Sequence, residues 1–475
     1  MERGHLHALA LSAQTFSIEK ALKQGTCPRS VYLLGWTCPL AVRGLLDDLG
    51  KSNFNAGHLE SSLRYLKYFV ALLFAFFFAF ALVIDRSAGV TYSLMVLTGM
   101  ATAALGLRPE GWSFPSFLRK YWMVSLSMAL PLVAVLINQL VTGHYASRAY
   151  DAQSRLALFL FMFWLMLFLP LEYLKQLQWP IVLGAMLTLI KMYVLSDGGN
   201  DRYGTDFIPI IICAHMGLLL GVFGMLSLGW THSDSRLVTF SKLAGLCAGL
   251  YMAYLSGSRG VWMTIPVYAA ISSMALKHIR RSYKLAALGV FVVIVAASLT
   301  FGHSIKERMI AAQVDLQQYS AGSDKDTSLG TRLQLWNGSW VLFKEHPLVG
   351  VGIDRYQTAL EELADRKIIT TQAATFPHSH NEMLFMMVRL GSMGALALLA
   401  IYLVPLWMFA RQCRHTDREI RSSAAMGLSL VAGFMVLGLV DVVFLWWECY
   451  PFYGIGIAYC LTCILKRQQQ LQANA

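Results

Sequence analysis

The chain has 475 residues, of which 56% are hydrophobic and only 14% are charged. Ordinary soluble domains carry roughly 25% charged residues, so this composition excludes a typical soluble globular protein. The formal net charge of +12 would suggest nucleic acid in a soluble protein, but lysines and arginines that face the cytoplasm explain it better here. We therefore expect an all-α polytopic membrane protein with membrane lipids around it and no nucleic-acid partner.

Residues 1–67 are expected to form an N-terminal cytoplasmic or interfacial segment. Its first 30 residues contain no signal-peptide core. A short apolar patch at 31–46 is interrupted by Pro39 and Arg43, so we expect it to lie outside the membrane or at its surface.

Apolar runs that are long enough to cross about 30 Å of hydrocarbon recur along the rest of the chain. They predict about twelve transmembrane helices, nine within 68–301 and three within 382–465, followed by a cytoplasmic tail at 466–475. The expected spans are 68–84, 88–107, 121–140, 156–174, 180–195, 208–229, 240–256, 260–276, 285–301, 382–410, 424–445 and 450–465.

The charges of the short loops predict the orientation of these spans. KHIRRSYK at 277–284 and RQCRHTDREIR at 411–421 are strongly basic, whereas the loops at the other face hold few lysines or arginines. Because cytoplasmic loops carry the excess of lysine and arginine, both termini are expected inside. Residues 302–381 then form one large loop outside.

This large loop is predicted to be helical. TRLQLWNGSWVLFKEHP is typical of a helix with Thr331 as N-cap and Pro347 at its end, and TALEELADRK predicts a second helix after a glycine turn. The loop closes with HSHNE, where Ser379 or Asn381 is suited to cap the next helix. Glu382 is expected to stabilise the first turn of that helix through the helix dipole.

Several polar side chains are expected to converge on the outer face. They are Arg202 in SDGGNDRYGTDFIP, Arg259 in SGSRG, Arg332 in GTRLQLW, and His378 and His380 in HSHNE. Any one of these arginines alone is better explained by snorkelling to lipid headgroups. A glycine-flanked arginine at a helix junction, however, also suits a phosphate or diphosphate.

The same inventory argues against a metal or cofactor. Two histidines without a third ligand nearby in sequence make a poor zinc site, and the CxxC of Cys460 and Cys463 has no second pair. Asp324-Lys325-Asp326 copies a DxD pattern, but its Ser/Gly-rich context indicates a solvated loop. Arginines can hold a diphosphate as its charge develops, and a neutral histidine can remove a proton from an attacking hydroxyl. Metal-free group transfer from a lipid diphosphate is the chemistry predicted.

HPLVGVGIDRY, followed by HSHNE and then LGSMGALALLAIY, resembles the Wzy/WaaL superfamily, and within it the O-antigen ligases. SRG between two spans and an arginine–glycine loop before the sixth span extend the resemblance over about 200–385. It implies a GT-C type transferase in the bacterial inner membrane, with its active site on the periplasmic face. Such a protein moves O-antigen from an undecaprenyl-diphosphate donor to a sugar hydroxyl of lipid A–core, with inversion and without metal.

The resemblance also assigns roles to residues. HSHN supplies His380 as the expected general base, with His378 as the weaker candidate, and Arg202, Arg259 and Arg332 are expected to bind the diphosphate.

Three alternatives stay open at this stage. An O-antigen polymerase shares the mechanism but usually has two sizeable periplasmic loops, and a protein O-oligosaccharyltransferase typically has a larger C-terminal portion. A secondary transporter of an anion would be expected to show internal repeats or paired charges at mid-membrane. The main intramembrane charge, Lys191, lies near the outer end of its span.

Overall fold

The computed structural model describes residues 56–474 except Arg202, 231–233, 277–302 and 322–323. The expectations for the first 55 residues and for a span at 285–301 therefore lie outside the described residues. Within the described ranges every regular element is a helix, and strand-like pairing is limited to an isolated bridge between Thr205 and Ile208. The all-α prediction is confirmed for this part of the chain, and its described residues from Tyr65 onward form one compact unit.

The helices before the large loop are mostly long and apolar. In chain order they are α1 (Ala56–Phe80), α2 (Ser87–Ala104), α3 (Phe114–Thr142), α4 (Arg148–Ala157), α5 (Phe159–Met166), α6 (Leu171–Gln176), α7 (Gln178–Leu195), α8 (Ile210–Leu226), α9 (Arg236–Ser256) and α10 (Arg259–Ala275).

The large loop is itself helical, and three long helices follow it. These elements are α11 (His303–Ala321), α12 (Ser328–Glu345), α13 (Tyr356–Asp365), α14 (Thr371–Ala374), α15 (Glu382–Gln412), α16 (Arg418–Gly438) and α17 (Cys449–Ala473). A short 3₁₀ turn at Val443–Leu445 lies between the last two.

Seven helical segments of the described part are long and apolar enough to cross a membrane. They are Leu63–Phe80, Phe114–Thr142, Leu171–Leu195, Arg236–Ser256, Glu382–Gln412, Arg418–Gly438 and Cys449–Ala473. The expected spans at 88–107, 156–174, 208–229 and 260–276 coincide with helices that are not among the seven. A polytopic helical membrane protein fits this architecture, and the count of twelve spans stays a prediction.

The helix caps of the large loop are partly as the sequence predicts. Asn381 caps α15 by accepting a hydrogen bond from the Leu384 N–H at 3.0 Å. The expected cap at Thr331 is wrong, because Thr327 takes that role by accepting from the Gly330 N–H at 3.2 Å. The helix thus starts one turn earlier and buries Thr331. It ends at Glu345, just before Pro347 as expected.

α15 is broken at Gly391, and the break joins the large loop to the helix bundle. Gly391 has φ 64° and Gly350, on the crossing chain, has φ 72°; a Cβ on either would lie 2.4–2.5 Å from backbone atoms of the other segment. The Val351 N–H donates to the Val388 carbonyl at 2.8 Å, and the Ser392 N–H donates to the Pro347 carbonyl at 2.8 Å. Only glycine permits this close approach without strain.

One end of the bundle carries ion pairs, and we call it the paired-charge end. Its ion pairs are Lys242–Asp234, Lys175–Glu419 and Arg467–Asp417. It gathers the start of α9, the start of α16 and the later turns of α17. A hydrogen bond of 2.6 Å from the Trp230 indole to the Ser422 hydroxyl joins the connection between α8 and α9 to the start of α16.

Candidate functional site

The candidate site lies at the other end of the same helices, where α9 turns into α10, α15 begins and α16 ends. The turn between α9 and α10 needs only Gly257 and Ser258, because Gly257 adopts the left-handed conformation with φ 54°. Arg259 is therefore the first residue of α10. The N-terminus of a helix favours an anion, and the Arg259 guanidinium adds a positive charge at this one.

A cavity of about 330 Å³ opens beside this turn. Arg259 and Arg332 both line it, together with Ser258, Ile211, Met263, Val440, and two acids, Asp315 and Asp441. Asp315 accepts a hydrogen bond from the Leu329 N–H at 3.2 Å and so ties α11 to the start of α12. Burial lowers the pKa of Arg332, Asp441 opposes this shift, and the positive charge of Arg259 adds to it. The cavity thus brings two guanidinium groups together, with two carboxylates in the same lining.

His378, His380 and Asp441 form a cluster next to the cavity. Nitrogen and oxygen atoms from the three side chains lie within 4.8 Å of one another. His380 Nδ1 is 3.7 Å from Asp441 Oδ1, and the His380 backbone N–H donates to His378 Nδ1 at 3.3 Å. Because Asp441 both faces His380 and lines the cavity, it joins the histidines to the arginines.

The surroundings indicate the charge states of two members of the cluster. Burial would raise the pKa of Asp441, but the nearby His380, the hydrogen bond from the Val442 N–H and the positive charge that either histidine can carry lower it below the usual value of an aspartate. Burial, the neighbouring His380 and, to a smaller extent, Arg332 lower the pKa of His378 to about 4. The negative charge of Asp441 acts in the opposite direction. At neutral pH Asp441 is therefore a carboxylate and His378 is neutral.

These contacts give the two histidines different capacities. An Nδ1–H of His380 that faces Asp441 leaves the lone pair on Nε2, the arrangement in which a carboxylate orients a histidine base. A separation of 3.7 Å is long for a hydrogen bond, but such contacts often tighten only when substrate is bound. On His378 the Nδ1 lone pair is already engaged by the His380 amide. The geometry favours His380 over His378 as a base.

The cluster also bears on the metal expectation. The sequence argument rejected a zinc site because it found no third ligand near the two histidines in sequence. The structure places a third possible ligand, Asp441, beside them from the connection after α16. Three such groups are enough in number for a catalytic zinc. The engagement of His378 Nδ1 by a backbone amide leaves that side chain only Nε2 for a metal. The donor set is therefore less suited to an ion than the distances alone indicate.

The backbone of His380 is in a conformation that side chains rarely adopt. Its φ of 51° lies in the left-handed region, which costs a non-glycine residue on the order of 1 kcal/mol. Neighbours hold it there: the Trp336 indole donates to the Ser379 carbonyl at 3.0 Å, and the Ser379 hydroxyl donates to the Asn381 carbonyl at 2.7 Å. Strain of this kind tends to occur at functional sites.

The structure places four of the five site residues named from the sequence. Arg259 and Arg332 line one cavity and His378 and His380 one cluster, whereas Arg202 lies outside the described residues. The sequence argument missed Asp441. A signal existed, because an isolated carboxylate between two apolar runs is a candidate functional residue in a membrane protein.

The contacts of the DxD-like stretch, the CxxC pair and Lys191 are those of structural residues. Asp326 accepts hydrogen bonds from the Thr370 hydroxyl and the Gln334 amide, so the DxD-like stretch ties the loop together. Cys460 and Cys463 are buried within α17. Lys191 pairs with Asp206 and donates to the Val83 carbonyl at 2.7 Å, where snorkelling was expected.

Comparison with known proteins adds two findings. Residues 243–399 match the family model described as O-antigen ligase (Wzy_C), a range that contains both arginines and both histidines but not Asp441. A protein of Haemophilus influenzae described as uncharacterized is 24% identical over 372 residues. That similarity covers 77% of this chain and 90% of the relative.

Proposed function

From the membership of this chain in the Wzy/WaaL superfamily, we propose that it acts as an O-antigen ligase. In this proposal it transfers polysaccharide from undecaprenyl diphosphate to a sugar hydroxyl of lipid A–core. The observation that carries the proposal is the position of Asp441, which lines the arginine cavity and faces His380. A candidate base therefore lies beside a cavity suited to a diphosphate.

The reaction follows from these groups. Arg259 and Arg332, with Arg202 as the third proposed ligand, bind the diphosphate oxygens and stabilise the charge that develops on them. His380 Nε2 takes the proton of the acceptor hydroxyl as its oxygen attacks the anomeric carbon. The bond from that carbon to the diphosphate oxygen breaks, and its electron pair leaves with the diphosphate. A single displacement inverts the anomeric carbon, and Asp441 stabilises the imidazolium.

We place this chemistry on the periplasmic face of the bacterial inner membrane, within a GT-C type arrangement and under the loop 302–381. The seven apolar helical segments and the basic loops at 277–284 and 411–421 support this orientation. In a background without native cysteines, Lys325→Cys should react with an impermeant thiol reagent from outside and Ser282→Cys should not. The reverse pattern would invert the topology.

Reconstitution tests the function directly. Purified protein in liposomes receives a lipid-diphosphate glycan and two acceptors in parallel, lipid A–core and a second lipid-linked glycan. A ligase extends only lipid A–core, whereas product on the lipid-linked glycan alone would identify a polymerase. Chelator should leave the rate unchanged; loss of transfer that added divalent metal restores would assign the histidine cluster to an ion.

A further inference from the structure

We propose that Glu382 and Asn381 are positioning residues that clamp the segment 439–444, defined here as the Asp441 segment, against the start of α15. This inference rests on the proposed function for its catalytic consequence, since the clamp holds the carboxylate that orients the proposed base. It goes beyond the roles expected from the sequence, which were a helix cap and a first-turn charge.

Glu382 makes the first contact of the clamp. Its side chain is only 2% exposed, and Oε2 accepts hydrogen bonds from the N–H groups of Val443 and of Phe444, the latter at 3.0 Å. Burial of a carboxylate is costly unless hydrogen bonds compensate for the lost water. Two backbone donors from a distant connection supply that compensation, so Glu382 bonds mainly to the Asp441 segment and its role is more specific than a dipole interaction.

Asn381 makes the second contact. Its Oδ1 caps α15, while its Nδ2 donates to the Leu439 carbonyl at 3.1 Å. The hydrogen bonds of Asn381 and Glu382 therefore hold the segment on both sides of Asp441, before it at Leu439 and after it at residues 443 and 444. His380, Asn381 and Glu382 are consecutive, so one short stretch carries the proposed base and both clamping side chains.

The Asp441 segment has little regular structure of its own. α16 ends at Gly438 and the 3₁₀ turn begins at Val443. The last turn of α16 holds one side through the Asp441 N–H, which donates to the Leu437 carbonyl at 2.9 Å. The clamp supplies the attachment on the other side. Without it, we expect Asp441 to sample positions away from His380 Nδ1.

The first experiment measures the clamp without reference to activity. Hydrogen–deuterium exchange of residues 439–446 is compared between the wild-type protein and Glu382→Ala in the same detergent. Loss of two backbone hydrogen bonds should speed exchange there by about 10-fold or more. Glu382→Gln should stay near wild type, because its amide oxygen can still accept from both N–H groups. Unchanged exchange in Glu382→Ala overturns the clamp.

Glu448→Ala is the matched control. Glu448 is also a buried glutamate on the connection between α16 and α17, but among the described residues neither of its side-chain oxygens has a hydrogen-bond partner. Its removal should leave exchange of the Asp441 segment unchanged. If Glu382→Ala does not fold, Asn381→Ser serves in its place, because serine keeps the helix cap but is too short to reach the Leu439 carbonyl.

The second experiment asks whether the clamp acts through Asp441. Glu382→Ala should lower kcat about 10-fold with little change in KM for the lipid-linked donor, since both arginines are untouched. In an Asp441→Asn background the same substitution should have almost no further effect, because residues that act as one unit are not additive. Equal losses in both backgrounds would overturn the positioning role. Faster exchange in Glu382→Ala, combined with a wild-type protein that transfers to neither acceptor, would support the clamp and refute the ligase.

Discussion

The two ends of the helix bundle differ in how their charged side chains are arranged. At the paired-charge end the cations meet carboxylates at 2.8–2.9 Å, as in Lys175–Glu419 and the fully buried Lys242 with Asp234. At the site end Arg259 and Arg332 line one cavity together with Asp315 and Asp441, and two histidines lie beside Asp441. Local pairing is expected where charge serves stability. Two arginines in the lining of one cavity are expected where a negatively charged ligand binds between them.

The largest effect is expected from His380→Ala at the site end. Removal of a general base typically costs about 10²- to 10⁴-fold in rate, so transfer to lipid A–core should nearly vanish while lipid-linked polymer accumulates. The matched control is His415→Ala at the paired-charge end, where His415 Nδ1 accepts from the Asp417 N–H at 3.0 Å. Both products are followed by gel electrophoresis. Normal ligation by His380→Ala would refute the base assignment.

The next effect in size is expected from Arg332→Ala. Loss of a charge-assisted hydrogen bond to a diphosphate should lower kcat/KM about 10- to 100-fold, with KM for the donor raised. Arg467→Ala, which removes an ion pair at the paired-charge end, should leave both constants near wild type. Steady-state kinetics with the lipid-linked donor distinguish the two. An equal loss in both variants would mean that the two ends do not differ as described.

A small effect is expected from His378→Asn, whose Oδ1 can accept the His380 N–H in place of Nδ1. The rate should fall by less than about 5-fold, the value of one neutral hydrogen bond. Burial and the neighbouring titratable groups His380, Asp441 and Arg332 give His378 a pKa of about 4, so it is neutral throughout pH 5–8. The shape of the pH–rate profile should therefore match that of the wild-type protein. A changed profile would assign the titrating group to His378.

The smallest effect on transfer is expected from Lys242→Ala. Asp234 would be left buried without its partner, which typically destabilises a protein by about 3 kcal/mol. The melting temperature in detergent should fall, while the transfer rate at a permissive temperature should not change. A large loss of transfer in folded protein would extend the functional region to the paired-charge end.

The sequence was informative where local chemistry decides the structure. The Asn381 cap needs only an amide at the start of an apolar run, and the turn at Gly257 needs only a glycine between two spans. Likewise the end of α12 before Pro347 follows from the missing N–H of proline. Each of these features depends on residues within a turn of one another, so the local sequence is enough to predict it.

Features that join distant segments could not be predicted in this way. Asp441 meets His380 through the packing of α16 against α15, and no local pattern reports that contact. The break at Gly391 depends on Leu348 and Val349 crossing from the loop, so the sequence suggested one continuous span. The N-cap lies at Thr327 and not at the expected Thr331, because the residue at which this helix begins depends on what the helix packs against.

The left-handed backbone of His380 has a consequence for rescue chemistry. Glycine adopts that conformation freely, so His380→Gly should fold at least as stably as His380→Ala while lacking the same imidazole. The substitution would leave a space beside Asp441 with the dimensions of the missing ring. Free imidazole in the buffer could then occupy it and restore part of the lost transfer. A residue held in a strained backbone conformation is thus also one whose chemistry a small molecule can replace.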